Sequence, residues 1–170
     1  TYGTAGDVQG SESNSGDAGV TYTLFRNNIS VSNPDTSVLG VGSYHYIYNA
    51  SSGTNYTDNS SIGSLVLNVN QTSSVVNLTL NSTEGNITIN SGNSILLNGT
   101  RITGDSGGRL LLYNNGTLIN NATTEVSNLT TFSNQGLFNI TVFYQGSQNY
   151  SSSSESYFVN VIASSNQSAV

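Results

Sequence analysis

Two stretches of this chain follow one plan. Residues 42–56 read GSYHYIYNASSGTNY, and residues 136–150 read GLFNITVFYQGSQNY. Each opens on Gly, runs through an alternating apolar segment and closes a polar loop on Asn-Tyr at the same spacing. Alternation of this kind describes a strand with one buried face. In a β-sandwich such a strand and loop lead into the last strand. The pair therefore points to two copies of one sandwich. At 170 residues, each copy has about 85, near the lower limit for a sandwich with its own core.

Other landmarks repeat with them. TLFRNN at 23–28 matches LLYNN at 111–115, and a Gly-Asp-x-Gly turn stands at both 16–19 and 104–107. Leu65, Leu67, Asn68 and Val69 match Tyr157, Val159, Asn160 and Val161. The offset of roughly 88 to 94 residues is that of a domain array, not of a solenoid of short units. Asn27-Asn28 reads as a candidate tight turn, and Asn115-Gly116 as a two-residue hairpin turn, since both of its positions tolerate positive φ. In the first copy, strands are predicted over 20–26, 29–32, 38–41, the Tyr44-Tyr46-Tyr48 segment and 65–69. The second copy adds 75–80 and 86–90, the latter continuing the edge that the former opens. Further strands there are 93–103, the segment of Leu110 and Leu112, 124–132 and 153–162.

These observations predict an all-β chain of two tandem immunoglobulin-like β-sandwich domains, 1–71 and 72–170. The first copy has no counterpart of residues 75–89, so it lacks its own first strand. Aligning the last strands sets residues 167–170 opposite 75–78, where a further first strand would begin. A sandwich short of an edge strand leaves backbone groups unpaired and core open. The expectation is a strand supplied by a neighbouring unit, either a preceding domain of a longer chain or another subunit. The alternative is a boundary that cut the strand off. The chain opens at Thr1 with no signal peptide, which reads as a processed or excised piece.

Composition narrows the partners. Arg26, Arg101 and Arg109 are the only basic residues besides His45, against nine carboxylates, for a net charge of -6. That balance argues against nucleic acid and anionic lipid, both of which need a basic face. No apolar run approaches the ~20 residues of a membrane span. With no Cys, disulfides and thiolate metal sites are excluded. So few ionisable groups predict weak coupling of folding to pH.

Asn, Ser and Thr must then solvate the surface, and fifteen Asn-x-Ser/Thr sequons occur. Chance would give roughly seven, so heavy N-glycosylation is expected. The candidates are Asn28, Asn49, Asn55, Asn59, Asn70, Asn77, Asn81, Asn86, Asn98, Asn115, Asn121, Asn128, Asn139, Asn149 and Asn166. A glycan must face solvent, which fixes strand phase. Asn139 outward sets Phe138, Ile140 and Val142 inward; Asn77 outward sets Val76, Leu78 and Leu80 inward. Asn86 does the same for Ile87 and Ile89, and Asn70 for Leu67 and Val69. Asn128 breaks the pattern, because facing it outward would expose Val126 and Phe132.

No catalytic, metal or cofactor-binding site is predicted; covalent glycans are the only expected additions. His45 points outward without Cys or a nearby carboxylate. Asp17 and Asp105 read as turn residues that bond their own backbone; a calcium site would need more oxygen ligands than their surroundings offer. Glu84, Glu125 and Glu155 form no visible pair. Tyr44, Tyr46 and Tyr48 read as core residues with tips at the sandwich rim, or alternatively as a sugar platform. Val66 and Phe158 are matched apolar residues on the outward face.

Gly136-Leu137-Phe138, the turn Tyr144 to Ser147, Asn149-Tyr150 and the closing strand 157–161 resemble tandem Ig-like repeats of bacterial and archaeal surface proteins, similar to the group-three bacterial Ig-like repeats. Gly42, Tyr44, Asn55-Tyr56 and 65–69 carry the resemblance in the first copy. The family usually has an acidic residue in the loop where Ser147 stands. The resemblance implies a non-enzymatic, extracellular, cell-surface segment, and its partners would be copies of itself or adjacent repeats. Spacers, stalks, filament subunits and adhesins all fit it, and fold does not choose among them.

Overall fold

The computed structural model describes residues 1–14 and 16–164. Every regular element among them is a strand. The chain divides into two compact units, Thr1–Thr72 and Ser73–Val170.

In the first unit, β1 (Thr21–Arg26) and β2 (Ile29–Val31) form a hairpin, followed by β3 (Gly42–Ser51) and β4 (Asn59–Val69). They pair antiparallel in the order β2-β1-β3-β4. Asn27 and Asn28 take φ of 48° and 65°, the two positive values a type I′ turn requires. Alternation turns Leu24, Tyr46 and Tyr48 into the core, with Tyr44 and Leu67 packed at its margin. Tyr44 pairs with Leu67, Tyr46 with Leu65 and Tyr48 with Gly63, so Leu65 and Leu67 share that inner face.

Two irregular segments, residues 1–14 and 33–41, cover part of this face. The strand predicted over 38–41 does not form; isolated bridges Ala5↔Val38 and Val8↔Asp35 stand in its place. Val8 N–H donates to Asp35 O at 3.2 Å, and Asp35 N–H returns to Val8 O at 2.9 Å. Farther on, a side chain replaces the ladder. Gly10 N–H donates to Asn33 Oδ1 at 3.0 Å, and Asn33 Nδ2 donates to Gly10 O at 2.8 Å. Pro34 follows directly and has no N–H to offer a ladder, which explains why pairing passes to the Asn33 amide. A Cβ on Gly10 would meet the Tyr48 ring at 2.5 Å, so the segment lies flat on the core only because Gly is there.

The second unit comprises β5 (Val75–Leu80), β6 (Ile87–Asn90), β7 (Ser94–Thr103), β8 (Leu110–Asn114), β9 (Thr117–Ala122), β10 (Glu125–Thr131), β11 (Gly136–Tyr144) and β12 (Ser153–Ile162). One sheet has the order β10-β7-β5, the other β6-β12-β11-β8-β9. Among the described residues only β6 and β12 pair in parallel. This is an immunoglobulin-like sandwich. Leu78, Leu97, Leu112, Val126, Ile140 and Val142 belong to its core. Residues 86–90 do not continue the edge of 75–80 as the sequence suggested. Asn81, Ser82 and Gly85, at φ 53°, 66° and 106°, turn the chain, and β6 lies in the opposite sheet from β5.

Strands β1 to β4 of the first unit correspond in order and pairing to β8, β9, β11 and β12. The first unit thus keeps one sheet of the sandwich. Among its described residues nothing corresponds to β5 or β6, and the places of β7 and β10 are taken by the two bridged segments. More than a first strand is therefore reduced.

Candidate functional site

The second unit is an internal standard for the first. Its closing strand β12 carries β6 along its outer edge, with Val159 opposite Ile87 and Val161 opposite Ile89. Val159 and Val161 are buried, at 0% and 2% exposure. The register of β3 with β4 and of β11 with β12 makes Leu67 and Val69 their equivalents, and Leu65 that of Tyr157. Leu65 is 45% exposed, and Leu67 and Val69 are only half-buried. Residues with an inner-face phase thus stand open along β4. Beside them is a cleft lined by Val8, Gly10, Leu24, Tyr46, Tyr48 and Leu65. Apolar side chains on one side and the free edge of β4 on the other are what an added strand recognises.

Behind Tyr46, one of the lining residues, lies an ion pair that sequence reasoning missed. Asp35 is buried, and its Oδ2 accepts from Arg26 Nη1 at 2.6 Å and from the Tyr46 hydroxyl at 2.8 Å. Its Oδ1 accepts from the Ser37 hydroxyl at 2.6 Å and the Ser37 N–H at 3.1 Å. Burial alone would raise the Asp35 carboxyl; the Ser37 and Tyr46 hydroxyls, the Ser37 N–H and the Arg26 charge outweigh it and hold it below the ordinary carboxylate range. The second unit has Asn114 paired with Ile140 where the first has Arg26 paired with Tyr46. The signal was present: Arg26 has the same phase as Leu24 on β1, so it had to face inward and find a carboxylate.

Asp17 and Asp105 do serve turns, but they also clasp a loop. Asp17 is buried; its Oδ1 accepts from Gly19 N–H at 3.1 Å and its Oδ2 from Asn55 N–H at 2.6 Å. The Asn55 N–H, opposed by burial and helped by that of Gly19, lowers its pKa. In the second unit Ser147 is inserted between. Its hydroxyl donates to Asp105 Oδ2 at 2.6 Å and accepts from Asn149 N–H at 3.2 Å and Tyr150 N–H at 3.1 Å. Gly53 stands at the position of Ser147, and a Cβ there would lie 2.9 Å from Tyr56 O. The missing side chain lets Asp17 reach the loop directly. Among the described residues, no group of three or more His, Cys, Asp or Glu gathers as a metal site.

The other singled-out residues fall as follows. His45 is exposed on the outer face of β3. Tyr44 donates to Gly40 O at 2.9 Å, Tyr46 to buried Asp35, and Tyr48 stacks on Tyr22 with centroids 5.8 Å apart. Only part of this matches a rim placement, since Tyr46 ends inside the core. Asn28, Asn55, Asn59, Asn70, Asn81, Asn86, Asn115, Asn121 and Asn139 are exposed; Asn49, Asn77, Asn98, Asn128 and Asn149 are half-buried. Asn166 and the segment 167–170 lie outside the described residues. Asn128 has the phase of buried Val126 and Phe132, and Leu129 takes the outward position at 71% exposure.

No family model matches the chain, and no curated protein matches it. Solved structures do. The fibronectin(III)-like modules of Clostridium thermocellum CbhA are 15% identical, with 94% of this chain and 86% of that one covered and a TM-score of 0.41. A CARDB domain from Pyrococcus furiosus is 13% identical over 54% of this chain and 98% of its own, with a TM-score of 0.39. Domains 4 and 5 of the S-layer protein SbsC are 13% identical over 84% and 77%, with a TM-score of 0.33. The sandwich is read from the strand order itself.

Proposed function

We propose that this chain is a structural segment of an extracellular, N-glycosylated filament or cell-surface stalk, and that its units are joined by strand complementation. The observation that supports it is the difference at matched positions: Val159, paired with Ile87 of β6, is buried, while Leu67 is half-buried and its neighbour Leu65 lies open. The incoming strand would run parallel to β4, as β6 runs along β12, with apolar side chains beside Leu67 and Val69 and continuing past Leu65. It would come from an adjacent repeat or another copy of the chain. No enzymatic role is proposed.

Cryo-electron microscopy of the native material tests this reading. The expected result is a linear assembly with a foreign strand along β4. A bare β4 in the assembled state would overturn it. The alternative, an adhesin or glycan-binding module, loses the aromatic platform first considered for it, because Tyr46 and Tyr48 are buried.

A further inference from the structure

The outer face of the five-stranded sheet carries an apolar patch that the strand-acceptor site does not use. Phe158 on β12 is 38% exposed, and Leu137 on β11 is 60% exposed. Both border one shallow groove with Asn86, Thr88 and Asn160. Phe158 lies between two sequon asparagines. Across the ladder its direct partner is Asn139 of Asn139-Ile140-Thr141. On the other side, Asn86 of Asn86-Ile87-Thr88 accepts the Phe158 N–H through its Oδ1 at 2.8 Å. Directly opposed cross-strand side chains have Cβ atoms about 5 Å apart, so a sugar on Asn139 starts within reach of the Phe158 ring.

The first unit supplies the control. Val66 corresponds to Phe158 and His45 to Asn139, and these two are again direct partners. There the sequon is gone and so is the aromatic ring. Aromatic surface and acceptor asparagine are present together in one copy and absent together in the other.

We infer that Phe158, flanked by Leu137, is a docking platform for the glycan carried on Asn139. A pyranose has one face of C–H groups, and the electron-rich face of a phenyl ring attracts such a face while both lose water. The sugar would cover the patch. It would also be held against the sheet, which protects the edge formed by β6 and β12. The inference rests on the reading of this surface as N-glycosylated, and it adds which side chains receive the sugar.

The test uses the full chain produced in an N-glycosylating host. Glycopeptide mass spectrometry first establishes occupancy of Asn139. Thermal unfolding of the second unit is then followed in four forms: the parent, Asn139→Gln, Phe158→Val and the double variant. Valine is what the first unit carries at this position, so the fold is preserved. Removing the glycan should lower the midpoint by about 4–8 °C when Phe158 is present and by roughly 1 °C when it is not. Nuclear Overhauser contacts between the Phe158 ring and the first sugar should accompany this. Equal shifts in both backgrounds, with Asn139 occupied, would overturn the platform alone. An unoccupied Asn139 would overturn the glycan reading at this site and the platform with it. Self-association of unglycosylated chain that Phe158→Val abolishes would instead assign the patch to a second copy and also overturn the proposal.

Discussion

Leu65→Asp separates the acceptor reading from ordinary core packing. Fully burying a leucine side chain stabilises by about 1.5–3 kcal/mol. Leu65 already has 45% of its surface exposed, so roughly 1 kcal/mol of that remains to be gained when a strand covers it. In the free chain the new carboxylate can turn to water, and the cost should resemble that of a surface substitution, within about 0.5–1 kcal/mol. Under a donated strand the same carboxylate would be enclosed with no cation nearby. Arg26 is already engaged by Asp35. An uncompensated charge there costs about 3 kcal/mol or more, which weakens assembly by at least roughly 100-fold. Sedimentation and electron microscopy measure assembly; the first unit's melting transition measures folding. The expected result is assembly lost with the melting transition nearly unmoved. Normal assembly would refute the acceptor site. A large loss of stability in the unassembled chain would make Leu65 a core residue and refute it equally.

Other outcomes follow from the same geometry. Asp35→Ala should destabilise the first unit by about 3 kcal/mol, the cost of leaving Arg26 and Tyr46 around a lost partner, with the Arg26 share reduced by its contact with water. Urea unfolding checks this, and the second unit's transition should stay in place. Acid should act on the same unit. The Asp35 and Asp17 carboxyls are lowered on folding, so the stability they contribute is full above the ordinary Asp value of 3.8 and is lost as pH falls through their lowered values. Melting followed from pH 7 down to pH 2 should therefore show the first unit's transition falling below about pH 4 while the second moves less. Coincident acid losses in both would count against this. Ser147→Ala should cost the second unit about 1 kcal/mol, since a half-buried clasp loses both donor and acceptor. Gly53→Ser should destabilise the first unit rather than recreate the clasp, because Tyr56 O and Val20 crowd its Cβ.

Much of the architecture was legible because its cause is local. Alternation over 136–144 and 153–162 sets buried Ile140, Val142, Val159 and Val161 on one face, with Asn139, Thr141, Ser156 and Asn160 on the other. Asn27-Asn28 and Asn115-Gly116 announce their turns through a backbone requirement that few residues meet. The sequons anticipated the facing of β5, β6 and β11. The failure at Asn128 was itself informative, because Val126 and Phe132 decide the phase of β10 by burial and the asparagine follows. Less legible was anything settled by a distant partner. Residues 38–41 have strand propensity, yet Pro34 and the Gly-rich segment opposite leave only bridges. Sheet membership of β6 depends on three positive-φ residues, a signal that alternation does not contain. Asp35 could not be assigned to Arg26 from spacing alone.

The placement of the few ionisable groups bears on function. Counting charges predicts weak coupling, but coupling depends on where a charge lies, not on how many there are. The second unit closes its core with two full sheets, and its inward Glu155 accepts from the Leu78 N–H at 2.6 Å. The first has one full sheet, and the side that β7 and β10 would cover is held by two bridges and the Asn33 amide. Apolar surface cannot fill that side alone, so Arg26, Tyr46, Ser37 and Asp35 tie the second segment to the sheet through one carboxylate. Such a cluster is directional where apolar packing is not. It fixes 33–41, and through the bridge at Val8 it positions residues 1–14, while Leu65 and the β4 edge stay open. The ion pair and the open edge thus occur in the same unit, linked through Tyr46. Replacing Arg26 and Asp35 together by apolar residues should raise the first unit's stability and reduce its capacity for a partner strand.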